Sequence, residues 1–169
     1  MSEVATAHRL FERLRDCAER DDIARLVGEL GADASRGAPA ADAEANRGIV
    51  RRYFEMWNTG DRTEADAVLG SMYLDHAHPS VVGPAAGRSL VRRFRAENAE
   101  ARMVVEIVAV DSEYVLVRRA IRWRAHGAME ACGVALFRVE GEQLAEQWSW
   151  PATGEAGVSE GGVALRNYF

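Results

Sequence analysis

Cysteine is scarce in this chain, and the two cysteines lie too far apart in sequence to indicate a site. Cys17 and Cys132 match no metal-binding or redox spacing, so we predict two free thiols in a reducing compartment. Long hydrophobic runs are lacking as well. No stretch is long enough to span a bilayer, and residues 1–9 have no apolar core of the kind that a signal peptide needs. We therefore expect a cytoplasmic protein with no membrane partner.

The chain also has no excess of positive charge. It carries 21 basic and 26 acidic residues, which gives a formal net charge of −5. Phosphate binding needs clustered basic side chains, whereas the arginines here lie opposite acids along predicted helices, so we expect no nucleic acid partner. No phosphate loop, dinucleotide fingerprint or Ser/Cys nucleophile motif is present either. We accordingly predict no nucleotide cofactor and no covalent intermediate.

What the chain does contain is enough apolar sequence for one domain. It has 169 residues, of which 48% are hydrophobic. Apolar residues recur at helical spacing between positions 8 and 30, and the small, breaker-rich stretch 31–42 is typical of a linker. We divide the chain into a helical extension with its linker at 1–45, a main domain at 46–151 and a C-terminal tail at 152–169.

Helices precede strands in the main domain. Helical periodicity predicts a first helix up to about residue 59, a second near 65–69 and a third from 89 to 99, with a short strand at 72–76 before the third. The apolar period then switches to two. Strands joined by short turns are predicted at 103–110, 114–125, 132–140 and 143–150. This order indicates an α+β fold with an antiparallel meander, and it does not fit alternating βαβ units.

Several short motifs occur in order along this domain. They are Trp57-Asn58-Thr59-Gly60-Asp61 at a helix end, Tyr73-Leu74-Asp75-His76, Gly87-Arg88, the arginine-bearing strand that ends in His126-Gly127, and Phe137-Arg138-Val139 followed by Glu146-Gln147-Trp148. Together they resemble the SnoaL-like branch of the nuclear transport factor 2-like superfamily. The resemblance implies a cone in which a curved antiparallel sheet and N-terminal helices enclose one pocket, usually in a homodimer. Known members include polyketide cyclases, isomerases, dehydratases and many proteins without demonstrated activity.

Acid–base catalysis is the first chemistry that the resemblance implies. Ring closure by aldol addition needs a proton removed next to a carbonyl and an oxyanion protonated, so two groups of different proton affinity must flank the substrate. His76 and His126 are the candidate histidines. Relatives commonly carry an aspartate soon after the last strand, where this chain has Trp150-Pro151-Ala152. Glu130 and Glu146 are therefore the candidate catalytic carboxylates, although a strand glutamate or histidine can equally lie exposed.

The long predicted strand has one apolar and one polar face. The apolar face carries Arg119 and Trp123, and His126 falls on the polar face. If the apolar face packs on the helices, the pocket receives Arg119 and Trp123 while His126 faces solvent or a partner. A β-bulge would reverse this assignment.

Aromatic residues indicate the kind of ligand. We predict a flat, apolar small-molecule substrate. The predicted substrate-binding residues are Tyr53, Trp57, Tyr73, Phe94, Arg119, Trp123, Trp148 and Trp150. His76 and His78 could share a metal face, but no further glutamate and histidine complete such a site, so we predict no metal.

Three functions stay open. The leading one is a cofactor-free cyclase or isomerase of a natural-product pathway, such as antibiotic biosynthesis, that uses acid–base or hydrogen-bond catalysis on a polyketide-like intermediate. The second is a cyclase that mainly holds a reactive polyene or epoxide in a productive conformation. The third is a noncatalytic small-molecule-binding dimer.

Overall fold

A computed structural model describes residues 9–14, 20–33, 40–80, 82–123 and 130–151. Helices occupy the first half of the chain and most strands the second, which confirms the predicted α+β class. The helices are α1 (residues 9–14), α2 (Arg20–Asp33), α3 (Ala40–Thr59), α4 (Ala65–Val68) and α5 (Gly83–Glu97). The strands are β1 (Leu69–Asp75), β2 (Ala101–Val110), β3 (Tyr114–Trp123), β4 (Glu130–Glu140) and β5 (Gln143–Pro151).

The five strands form one sheet in the order β1-β5-β4-β3-β2. Strands β2 to β5 are the antiparallel meander that the sequence predicted. Strand β1 pairs with β5 in parallel, so the sheet as a whole is mixed. A parallel pair needs a long connection, and here the chain passes through α5 and three further strands before it returns beside β1.

Two helices begin earlier than the sequence indicated. Helix α3 starts at Ala40, within the stretch 31–42 whose composition is typical of a linker. Helix α5 starts at Gly83 and not near Ser89. Pro84 lies in its first turn, where the missing N–H costs nothing, so a residue that indicated a loop instead opens the helix.

Irregular pairing bends the sheet. The register shifts within β1–β5, β2–β3 and β4–β5, and such bulges increase local twist and curvature. In β5 the shift falls at Ala145, because Leu144 pairs with Val139 while Glu146 pairs with Arg138. It sets which face of the sheet the later β5 side chains occupy.

The inner face of the sheet, defined as the face that packs on α3, α4 and α5, carries the larger core. Val50, Phe54 and Val91 of the helices pack there with Val117 of β3 and Phe137 of β4, all at most 2% exposed. Arg119 lies on the same face of β3 between Val117 and Ile121. The apolar face of β3 therefore packs on α3, α4 and α5, which is the first of the two arrangements that the sequence left open.

The outer face carries a second core, formed with the N-terminal extension. Leu14 of α1 and Leu26 of α2 pack with Leu116 and Leu136 of the sheet. The ring of Phe11 stacks on Tyr114 at 5.5 Å between centroids. The extension is thus a layer of the domain, so the sheet has helices on both faces. None of the described helices is both long and apolar enough to cross a membrane.

Candidate functional site

A group of polar side chains is buried on the inner face of the sheet. Asp75 ends β1, Arg119 lies in the middle of β3, and Gln147 lies in β5. Their exposed fractions are 2%, 5% and 3%, as low as those of the surrounding apolar core. Buried polar groups are costly unless they are hydrogen-bonded or paired, so a set of this kind is unusual in a core and marks a candidate site. We call these three residues, with Tyr53 and Tyr73, the inner cluster.

Gln147 connects two tyrosines of the inner cluster. Tyr53 of α3 and Tyr73 of β1 each donate their phenolic hydrogen to Gln147 Oε1, at 2.8 Å in both cases. The Nε2 group of Gln147 donates to Ser149 Oγ at 2.9 Å. One amide side chain thereby links a helix, an edge strand and its own strand.

Asp75 orients a histidine in the turn that follows β1. Its Oδ1 accepts the backbone N–H of Ala77 at 3.0 Å, and its Oδ2 accepts Nδ1–H of His78 at 2.9 Å. The side chain of His78 is 16% exposed, compared with 3% for Asp75. A buried carboxylate bonded to Nδ1 fixes the tautomer and orientation of the imidazole, which is how histidine bases are prepared for proton transfer.

Burial controls the charge of the inner cluster. Burial raises the pKa of Tyr53 and Tyr73 above the ordinary phenol value, and the negative charge of Asp75 adds to the effect, so both phenols stay protonated. Burial also lowers the pKa of Arg119, which Tyr53, Asp75 and Tyr73 oppose. A guanidinium has so high an ordinary pKa that Arg119 remains a cation, placed near one carboxylate and two phenols.

A second pair of a histidine and a carboxylate lies on the outer face. Nε2–H of His76 donates to Glu146 Oε2 at 2.8 Å, and Arg138 Nε donates to Glu146 Oε1 at 2.8 Å. The imidazole of His76 stacks on Trp148 with centroids 4.5 Å apart and planes 11° from parallel. Partial burial acts to raise the pKa of Glu146, but the bonds from His76 and Arg138 outweigh it and lower that pKa below its ordinary value. The two predicted catalytic residues His76 and Glu146 are thus in contact.

The predicted substrate-binding residues divide between the two faces. Tyr53, Tyr73 and Arg119 belong to the inner cluster, and Trp57 packs beside it against Phe94 with ring centroids 5.3 Å apart. Trp148 and Trp150 lie on the outer face, since they pair with Leu136 and Val134 and are packed against the second core. The shift at Ala145 is the reason: it gives Gln147 and Ser149 the inner face and the two tryptophans the outer one.

Three predicted residues cannot be placed in either group. His126 lies outside the described residues. Glu130 begins β4 and Trp123 ends β3, where the structure describes the backbone and not these side chains. Their predicted roles, like those of His76 and Glu146, stay predictions.

Sequence reasoning missed Asp75, His78 and Gln147. From the sequence, Asp75 was named only within a motif and His78 only as a possible metal ligand beside His76. A usable signal was present for Asp75, because residues two apart on a strand share a face and Tyr73 was already a predicted site residue. No signal indicated that the turn would bring His78 back to Asp75.

Two further features of the described residues bear on ligands. No three histidine, cysteine, aspartate or glutamate side chains among them are grouped closely enough to hold a metal ion. A groove of about 680 Å³ lies between α3, α4 and the turn before β5, and no residue of the inner cluster lines it. Its lining residues are Ala45, Gly48, Ile49, Arg52, Ala67, Glu142 and Gln143.

Comparison with solved structures shows which fold this arrangement belongs to. A candidate SnoaL-like polyketide cyclase from Jannaschia sp. CCS1 is 18% identical, with a TM-score of 0.56 over 68% of this chain and 89% of that one. TsrD from Streptomyces laurentii is 16% identical, with a TM-score of 0.55 over 64% and 88%. A SnoaL-like polyketide cyclase from Agrobacterium tumefaciens is 15% identical, with a TM-score of 0.53 over 62% and 88%. Identities this low establish the fold alone.

Comparison at the level of sequence establishes the family. No curated protein matches the chain. The family model for the SnoaL-like domain matches residues 50–147, which run from the middle of α3 to Gln147 in β5 and include the whole inner cluster. Because that match covers more than half of its length, the chain belongs to the SnoaL-like domain family.

Proposed function

We infer that this protein is a cofactor-free cyclase or isomerase that acts on an apolar, polyketide-like or related natural-product intermediate. The family supports the class of reaction, because similar structures include SnoaL-like polyketide cyclases. The observation that carries the proposal is the inner cluster, which gathers a carboxylate, a guanidinium and two phenols on one face of the sheet, while the imidazole of His78 is bonded to that carboxylate from the following turn. Such a set can accept a proton and stabilise an oxyanion.

Proton removal is assigned to His78, with Asp75 as its positioning residue. The imidazole takes a proton from the carbon next to a substrate carbonyl, and the electrons of the broken C–H bond move to the carbonyl oxygen as an enolate. The carboxylate of Asp75, 2.9 Å from Nδ1, stabilises the imidazolium that forms. In a cyclisation the enolate carbon then attacks a second carbonyl, and the new oxyanion receives the proton back.

Stabilisation of the oxyanion is assigned to Arg119. Its guanidinium is buried on the inner face near Asp75 and the two tyrosines. A fixed positive charge stabilises a developing anion far better in a low-dielectric interior than in water. The aromatic residues Trp57 and Phe94 beside the cluster supply apolar surface for a flat substrate.

The pair of His76 and Glu146 is the second candidate for the acid–base group. Their contact at 2.8 Å supports it, because a carboxylate also orients this imidazole. The outer-face position disfavours it, since the phenols and Arg119 lie on the other side of the sheet. His126 and Glu130 remain candidates from the sequence alone.

The proposal also includes a cytoplasmic homodimer. The scarcity of cysteine supports the cytoplasmic location, and the family resemblance supports the homodimer. On the outer face of β2, Val104 is 39% exposed. Two other functions carry over from the sequence, a conformational template for a polyene or epoxide and a noncatalytic binding dimer.

Hydrogen exchange on a simple ketone tests the proposal without knowledge of the natural substrate. The protein is mixed with 2-tetralone in D₂O, and loss of the proton signal next to the carbonyl is followed by NMR. We expect exchange to be faster with protein, and to fall about 100-fold or more in His78→Asn, because general base catalysis contributes on that order. His76→Asn, the matched histidine on the outer face, should retain the full rate.

Each alternative predicts a different result. Loss of exchange in His76→Asn but not in His78→Asn would move the base to the outer pair. Saturable binding of 2-tetralone without any exchange would favour the noncatalytic or template function. Thermal unfolding of each variant checks that it folds.

A further inference from the structure

Two phenols of the inner cluster share one acceptor. Tyr53 Oη and Tyr73 Oη each lie 2.8 Å from Gln147 Oε1. An amide oxygen has two lone pairs, so these two bonds use its full accepting capacity. The three groups are buried, with exposed fractions of 4%, 1% and 3% for Tyr53, Tyr73 and Gln147.

The amide of Gln147 is oriented with its NH₂ group toward Ser149. Gln147 Nε2 donates to Ser149 Oγ at 2.9 Å, which places the NH₂ group toward Ser149 and the oxygen toward the tyrosines. Burial keeps both phenols protonated. Each phenol has a single hydrogen, and each gives it to Gln147, so toward any further partner the phenolic oxygens offer only lone pairs.

We propose that Gln147 is a positioning residue which turns the Tyr53–Tyr73 pair into a hydrogen-bond acceptor site, so that the ligand must present a hydroxyl group to it. This inference rests on the proposed function, because it concerns the ligand of the same site. Arg119, the cation of the cluster, selects the opposite character, a carbonyl or oxyanion. A ligand that satisfies both presents a hydroxyl group to the phenols and a carbonyl or oxyanion to Arg119.

The hydrogen positions test the role of Gln147 directly. Neutron diffraction on crystals of the full chain soaked in D₂O locates the phenolic deuterons. We expect one deuteron between each phenolic oxygen and Gln147 Oε1. Deuterons that point away from Gln147, with its amide reversed toward Ser149, would overturn the inference whatever the protein binds.

A comparison of two ligands tests whether the Tyr53–Tyr73 pair requires a hydroxyl group in its ligand. Binding of 2-naphthol is compared with that of 2-methoxynaphthalene, which has the same rings and oxygen but no hydrogen to donate. We expect 2-naphthol to bind about tenfold more tightly, the worth of one hydrogen bond. In Gln147→Met the phenols are free to donate, and the ratio should fall to about one or below. Gln147→Glu keeps an acceptor for both phenols and should restore the preference.

Gln143 provides a matched control on the same strand. Its Nε2 donates to the backbone oxygens of Asp66 and Leu69, away from the inner cluster. Gln143→Met should leave the ratio of the two affinities unchanged. Equal binding of both compounds by the unaltered protein overturns the inference while the proposed function stands. If neither compound binds, the proposed aromatic ligand fails together with the ligand preference, and the deuteron positions still decide the role of Gln147.

Discussion

Single amide side chains connect distant parts of this chain at several points. Asn58, near the end of α3, donates Nδ2–H to the backbone oxygen of Met103 at 3.0 Å and accepts the backbone N–H of Met103 at 2.7 Å. This reproduces the two hydrogen bonds of a strand pair with one side chain. It joins the helix that carries Tyr53 to the far edge of the sheet.

Loss of the Asn58 side chain should therefore be costly. In Asn58→Ala the backbone groups of Met103 lose both partners in a half-buried position, so we expect the free energy of unfolding to fall by about 1–3 kcal/mol. Urea unfolding measures it. Asn58→Asp keeps the acceptor and should lose less, and equal losses in the two variants would contradict the argument.

The contact between His76 and Glu146 on the outer face should make the stability of the protein depend on pH. The pKa of Glu146 is lowered in the folded protein, so its contribution to stability is present above the ordinary value of 4.5 and is lost as the pH falls through the lower folded value. In Glu146→Gln this contribution is absent. Urea unfolding between pH 7 and pH 3 should give a difference between the two proteins that is largest at neutral pH and shrinks below pH 4.5. A constant difference would argue against the ion pair.

Sequence reasoning at the residue scale identified part of the inner cluster. Tyr53 and Tyr73 were predicted as members of the aromatic set, and Arg119 because it lies on the apolar face of a predicted strand. His78 was missed because its partner is set by the path of a turn, which local pattern does not encode. Gln147 was missed because its face depends on the bulge at Ala145.

At the scale of elements, helix α5 joins β1 through a close backbone contact. Gly83, its first residue, has φ of +71°, and a Cβ there would lie 2.7 Å from the backbone oxygen of Ser71. Gly48 in α3 is different, because a Cβ there meets no atom within 4 Å. The two glycines are therefore required to very different degrees.

Alanine substitutions at these positions should have opposite signs. Gly83→Ala combines left-handed backbone strain with a clash against a main-chain atom, so we expect a loss of about 1–3 kcal/mol in the free energy of unfolding. Gly48→Ala removes glycine from a helix interior and should stabilise the protein by about 0.5–1 kcal/mol. Thermal and urea unfolding of both variants measure the difference. A loss in Gly48→Ala would mean that the groove beside it is tighter than described.

The order and type of elements were predictable, and their beginnings were less so. The switch of apolar period from helical to alternating predicted the strands of the meander correctly. The parallel partner of β1 could not be predicted, because no hairpin links it to the strand beside it. Pro84 misled the prediction of α5, since proline at the first turn of a helix and proline in a loop look alike in sequence.

At the scale of the whole molecule, the sheet separates two hydrophobic cores and contributes side chains to both. Val115 and Val117 of β3 face the inner core while Leu116 faces the outer one, and all three are fully buried. A sheet covered on both sides cannot lose one cover without exposing apolar surface. The N-terminal extension is thus expected to contribute to the stability of the sheet that carries the inner cluster.

A change in α1 tests this dependence. Phe11 is 1% exposed and stacks on Tyr114, so Phe11→Ala should lower the free energy of unfolding by about 3–5 kcal/mol, the usual cost of such a cavity. Arg13→Ala, on the exposed side of the same helix, should have little effect. Urea unfolding compares the two. Similar stability of both variants would show that α1 is dispensable to the fold.

The parallel pairing of β1 with β5 has a consequence for biosynthesis. Tyr53 and Tyr73 meet their acceptor 94 and 74 residues later in the chain, on the last described strand. On the ribosome the helices of the extension emerge well before the strands that cover them. The inner core, which includes Leu144 of β5, therefore stays incomplete until β5 leaves the exit tunnel. Chains cut short before β5 should therefore lack both a complete inner core and the acceptor of the two tyrosines.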